Sequence, residues 1–117
     1  MNIEEYREFC LGMPGVTEDF PFDEETLVFK VMGKLFALTD VDGFESINLK
    51  CDPEKAIILR EQYDEVKPGY HMNKKHWNTV QTHGSIPDSL LKQWIRESYD
   101  LVVAGLSKKL QAELSKM

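Results

Sequence analysis

The sequence predicts an α+β fold: two layers, with an antiparallel five-stranded sheet carrying its helices on one face, in the order α-β-β-β-α-β-β-α. Three observations carry that prediction. Apolar residues recur at helical spacing near the two ends of the chain, at Ile3, Tyr6 and Cys10 and again at Leu91, Trp94, Ile95, Ser98, Leu101 and Val102. Between them, three runs rich in β-branched and aromatic residues are separated only by Met32-Gly33 and Asp42-Gly43, connections too short for parallel crossovers. A chain of 117 residues with 42% hydrophobic content can close one core without disulfides or metal.

The elements follow in order. Asn2 is placed to cap a helix through Leu11, with Glu5 three residues on, and Gly12 and Pro14-Gly15 end it. The stretch MPGVTEDFPFDEE, with two prolines, one glycine and five acids, reads as a loop whose Phe20 and Phe22 staple it to the core. TLVFKVM (Thr26–Met32), KLFALTD and FESINLK (Phe44–Lys50) read as three strands of a meander. Asp52-Pro53 opens a second helix, with the acid as cap and proline at the first helical position. Val66 to Thr82 reads as two short strands around a tight connection, Trp77–Thr82 being the better one. Pro87-Asp88 starts the last helix, which runs on towards Leu110 and Leu114 with a weak point at Gly105. One sheet face is then left partly open, for a ligand or a second copy.

Charge narrows the functional classes. The net charge of −6 argues against generic nucleic-acid binding, but its distribution is uneven. No lysine or arginine lies between Glu8 and Phe29, whereas no acid lies between Val66 and Pro87. That second window holds Lys67, Lys74, Lys75 and all three histidines. No apolar run reaches the ~20 residues of a membrane span. The N-terminus lacks the pattern of a signal peptide, so the cytoplasm is the expected compartment and no membrane is expected as partner.

Within the basic window, KPGYHMNKKHWNTV (Lys67–Val80) concentrates the chemistry. Lys67, Lys74 and Lys75 suit phosphate oxygens. His71, Asn73, His76 and Asn78 suit phosphate or base edges, and Tyr70 or Trp77 suits stacking on a base. Each has a structural alternative: a solvated face for the lysines, a core plug for Trp77, a turn or cap for Asn73. Lys74 and Lys75 could instead pair with the acidic loop. His71, His76 and His83, spaced by five and seven, fit neither a helix face nor a strand face, so no metal site is expected. Cys10 and Cys51 read as small buried hydrophobes. GxSxG, Walker A and GxGxxG patterns are absent, and no catalytic residue or cofactor is expected.

FCLGMPGV, FPFDEETLVFKVMGKLFAL, INLKCDPEKAIILRE, KPGYHMNKKHWNTV and SYDLVVAGL together resemble the MmcQ/YjbR family of small bacterial proteins. The resemblance covers nearly the whole chain, and YHMNKKHWNTV is its most specific stretch. It implies an α+β fold of the secretion-chaperone-like or frataxin-like kind. It also implies the family's label of DNA binding through a double-wing motif, a label that rests on fold analogy. It supplies no catalytic residues. The expectation is therefore a non-enzymatic domain that binds DNA or another polyanion through Lys67–Asn78. The alternative is a protein- or peptide-interaction module, or homodimer, that uses the open sheet face.

Overall fold

In the computed structural model, which describes residues 1–117, α1 (Ile3–Leu11) starts where predicted. The Asn2 side chain accepts the Glu5 N–H at 2.8 Å. The meander is present as β2 (Thr26–Val31), β3 (Lys34–Asp40) and β4 (Ser46–Lys50), each antiparallel to the next. Met32 and Gly33 both take positive φ, 50° and 82°, which gives the turn between β2 and β3 the twist that a tight hairpin needs. α2 (Pro53–Gln62) is capped by Asp52, which accepts the Lys55 N–H at 3.2 Å. β5 (Val66–Pro68) and β6 (Trp77–Gln81) pair antiparallel, and α3 (Asp88–Ala104) crosses the sheet.

Two expectations need correction. The sheet has six strands, not five, in the spatial order β1-β2-β3-β4-β6-β5. The extra strand, β1 (Val16–Asp19), lies in the acidic segment read as a loop and pairs with β2 from Val16↔Val31 to Asp19↔Val28. VTED has little strand character of its own. Pairing with β2 creates it, and Arg7 of α1 grips Glu18 through Nε at 2.7 Å and Nη2 at 2.6 Å. The C-terminal helix also breaks at Gly105, and a separate α4 (Lys108–Leu114) begins under a Ser107 cap. The element order is therefore α-β-β-β-β-α-β-β-α-α.

The helices lie on one face. Tyr6 and Cys10 of α1, Leu59 of α2 and Leu91, Trp94, Ile95, Tyr99 and Val102 of α3 join the inward residues of the sheet in one core. A register slip at Phe29/Lys30 inserts an extra residue in β3, so that Phe36 and Ala37 are both fully buried. Tyr6 meets Phe29, and Phe36 meets Tyr99, edge to face at 5.3 and 5.5 Å. The opposite face holds a small second cluster of Val28, Leu38 and Trp77, with Leu35 and Met72 against it. That face is partly closed, and what closes it is the segment singled out in the sequence. No helix is long and apolar enough to cross a membrane.

Candidate nucleic-acid interface

The segment Lys67–Val80 is built by backbone constraints at both ends. After β5 the chain passes so close to β6 that a Cβ on Gly69 would lie 2.7 Å from the Trp77 Cβ and 3.0 Å from the Trp77 carbonyl oxygen. Only glycine fits there, and its N–H donates to that carbonyl at 2.9 Å. The chain then folds over the sheet face opposite the helices. The Tyr70 N–H donates to Thr79 Oγ1 at 2.9 Å, and Met72 packs on the Trp77 cluster. A helical turn follows: the Asn73 carbonyl accepts the His76 and Trp77 N–H groups at 3.2 and 3.0 Å, and its side chain accepts the Lys75 N–H at 2.9 Å.

Arg60 of α2 locks this turn from the helix side. Its Nε donates to Asn78 Oδ1 at 2.7 Å, and its Nη2 donates to the Trp77 carbonyl at 3.2 Å and to the Lys74 carbonyl. Three acceptors in one fork suit a guanidinium and no other side chain.

The nine sequence-selected residues therefore separate into two groups. Lys67, Tyr70, His71, Lys74 and Lys75 are exposed, and His76 is half-buried. Tyr70 is 69% exposed, with its ring 4.0 Å from that of His71, which sits at φ 58°. Trp77, Asn78 and Asn73 serve the fold. Trp77 is 9% exposed in the second cluster, and Asn78 is 2% exposed under Arg60. Asn73 is exposed, with its side chain bound to the turn it shapes. The stacking surface expected of Trp77 is turned into the protein, leaving Tyr70 as the exposed aromatic ring.

The face also carries two lysines that lie outside the window. Strand alternation, with Phe29, Val31 and Leu49 in the main core, places Lys30 and Lys50 on the same face as Trp77 and Lys67. Lys50 stands directly opposite Trp77 in the β4–β6 ladder. None of Lys30, Lys50, Lys67, Lys74 and Lys75 makes an ion pair; the four pairs present are Met1–Asp88, Arg7–Glu18, Lys55–Glu97 and Arg96–Asp100. The pairing of Lys74 with the acidic loop does not form, since its Nζ donates to the Gly69 carbonyl at 3.1 Å and Glu18 belongs to Arg7. Acids at this face are Asp19 and Asp40, towards one corner, and Glu45 and Glu65, which line a polar hollow with Lys67, Thr79 and His83. Asn48 and Thr79, hydrogen-bonded to each other, give its middle a polar surface.

Other chemistry is weakly represented. No group of three or more His, Cys, Asp or Glu side chains gathers anywhere. Burial pushes the thiols of Cys10 and Cys51 upward, which keeps both protonated and unreactive. Phe20 and Phe22 do not staple their loop: they are 46% and 73% exposed, because the loop is held by the Asp23 carboxylate, which accepts the Glu25 and Thr26 N–H groups at 2.9 and 2.7 Å.

A short α+β domain whose sheet is covered by helices on one face and by a folded-back, lysine-bearing hairpin connection on the other is the class that this geometry defines. The family model YjbR matches residues 11–101, and the chain belongs to the YjbR family. It is 43% identical over 109 residues to YbdF of Escherichia coli O157:H7, covering 92% of this chain and 89% of that protein. It is 36% identical over 104 residues to YjbR of Escherichia coli K12, covering 88% of each. Both are described only as uncharacterized proteins. The crystal structure of Deinococcus radiodurans protein DR2400, containing the family domain DUF419, superposes with a TM-score of 0.90 at 42% identity, covering 97% of this chain and 88% of that one.

Proposed function

We propose that this protein binds the sugar–phosphate backbone of nucleic acid with the sheet face opposite the helices. The observation that carries this reading is that Lys30, Lys50 and Lys67 share this face of an acidic molecule, with the exposed Lys74 and Lys75 in the adjoining turn, and that none of the five has an ion-pair partner. The net charge of −6 does not overrule them. At physiological salt the Debye length is about 8 Å, and the acids carried by the helices lie on the other side of the sheet from Lys30, Lys50 and Lys67. The exposed Tyr70 ring beside His71 offers a base a stacking partner, which favours single strands over duplex.

The test is fluorescence anisotropy with single-stranded and duplex oligonucleotides over a salt series. Lys50→Ala/Lys74→Ala/Lys75→Ala is expected to weaken single-strand binding at least about tenfold. It should also flatten the salt slope by about two, at roughly 0.7 per phosphate contact. Tyr70→Ala should cost about 1–3 kcal/mol of affinity if a base stacks there. Absence of binding at low salt, or binding indifferent to the triple variant, removes the reading.

A second reading, a protein-interaction module, is favoured by Phe20 and Phe22 standing exposed in an acidic loop beside the edge strand β1. Here Phe20→Ser/Phe22→Ser is expected to abolish self-association in sedimentation velocity, or capture of a basic partner, with no change in stability. A chain that sediments as a monomer and captures nothing opposes it.

A further inference from the structure

We infer a small-molecule site for a neutral, mainly apolar compound bearing one hydrogen-bond acceptor. It lies in the cleft between α2 and α3, on the sheet face away from the lysines. The cleft has a volume of about 340 Å³, and its apolar lining is drawn from Leu49, Leu59, Val80 and Trp94. α2 and α3 meet at two points around it. Tyr63 and Trp94 pack edge to face at 5.3 Å, and Lys55 Nζ reaches both Glu97 carboxylate oxygens at 2.7 Å. Between these points the helices stand apart, so a concave apolar space remains open above the strands. A well-formed apolar pocket with few polar groups is the usual form of a ligand site.

The charges around the cleft choose the ligand class. Lys55 is paired with Glu97 and Asp100 with Arg96 at 3.2 Å, while the Asp52 carboxylate caps α2 through the Lys55 N–H at 3.2 Å and keeps its charge. Lys50 contributes its backbone here and sends its side chain to the other face. A carboxylate entering the cleft would lose its hydration beside the Asp52, Glu97 and Asp100 carboxylates, and an ammonium would find at the buried polar group only the Asn78 N–H donor, since Asn78 Oδ1 is held by Arg60, so both are costly. A neutral body meets no such penalty.

The polar contact comes from Asn78. Asn78 is 2% exposed and lines the cleft. Its oxygen is held by Arg60 at 2.7 Å. That fixes the amide so that its nitrogen is the free end, with two N–H donors for one acceptor, the Ala56 carbonyl at 3.4 Å. One N–H is left for a ligand carbonyl or ether oxygen. The Cys51 thiol at the same wall stays protonated, because burial raises its pKa, and presents no charge.

The experiment is a two-dimensional NMR titration of the full chain with three probes of equal size: acetophenone, benzoate and benzylamine. Acetophenone is expected to shift the Leu49, Leu59 and Val80 methyl signals and the Asn78 side-chain amide in a saturable way. The two ions should bind at least about tenfold more weakly. Ala104→Trp, at the exposed rim, is expected to fill the mouth and weaken acetophenone binding about tenfold in a chain that still folds. Equal binding of all three probes, shifts that never saturate, no shifts, or an unaffected Ala104→Trp variant would each overturn the site. Nothing in this test depends on the lysine face.

Discussion

Arg60→Met should destabilise the protein by about 2–4 kcal/mol and release the Lys67–Val80 connection from the sheet. The guanidinium is the donor that holds Asn78 Oδ1, the Trp77 carbonyl and the Lys74 carbonyl at once. Methionine keeps the length and most of the apolar stem but leaves the buried Asn78 oxygen without its charged donor. An unsatisfied buried acceptor costs about 1–3 kcal/mol, and hydrogen bonds to charged groups contribute about 1.5–3 kcal/mol each. Arg60→Lys should recover only part of the loss, because an ammonium cannot present a flat fork to three acceptors. Urea unfolding checks the magnitude, and hydrogen exchange checks the place: the Gly69 and Trp77 amides should lose protection first. If nucleic acid binds through Lys74 and Lys75, Arg60→Met should weaken that binding as well, although the Arg60 fork is directed at the turn. A loss below about 1 kcal/mol with unchanged protection would mean that the turn holds itself.

This anchor also marks where sequence reasoning stops. The turn at Asn73 was legible, because Asn is a residue that closes such turns, and so were the hairpins, because Met32-Gly33 and Asp42-Gly43 announce them. Arg60 was not: on a helix whose neighbours are Leu59 and Glu61, an arginine looks like any solvated one. Its partners lie fourteen to eighteen residues away and are chosen by tertiary packing. β1 was hidden for a related reason, since VTED becomes a strand only when β2 offers it a ladder. Lys30 and Lys50 were within reach. Period-two alternation along TLVFKVM and FESINLK places them on the face opposite Phe29, Val31 and Leu49. The acid-free window contains only part of the basic set, because the lysines come from three strands and a turn. Trp77 failed as a surface group because nothing local tells a tryptophan at a strand start which face its ring will cover.

Ser98→Ala tests the join between the helix layer and the sheet, and should cost about 2–4 kcal/mol for the loss of one oxygen atom. The β3–β4 ladder runs to Ala37↔Leu49, and the next rung would oppose Phe36 and Lys50. The Ser98 hydroxyl stands in for that rung: it accepts the Lys50 N–H at 2.8 Å and donates to the Phe36 carbonyl at 2.5 Å. The residue is 0% exposed, so no water replaces it when the oxygen is removed. Two backbone groups are then left unpaired at about 1–3 kcal/mol each, and the better helix propensity of alanine returns only about 0.5 kcal/mol. For a domain of this size that corresponds to a fall in Tm of about 8–16 °C, readable in a thermal melt. The position stands in the apolar stripe of α3, between Ile95 and Val102, where pattern alone would make alanine or leucine the better choice. A fall of only a degree or two would show that strand β4 closes the rung unaided. The large fall expected here would establish that α3, which also carries Trp94 and Glu97 of the cleft, is held in place by a single buried hydroxyl as well as by its apolar face.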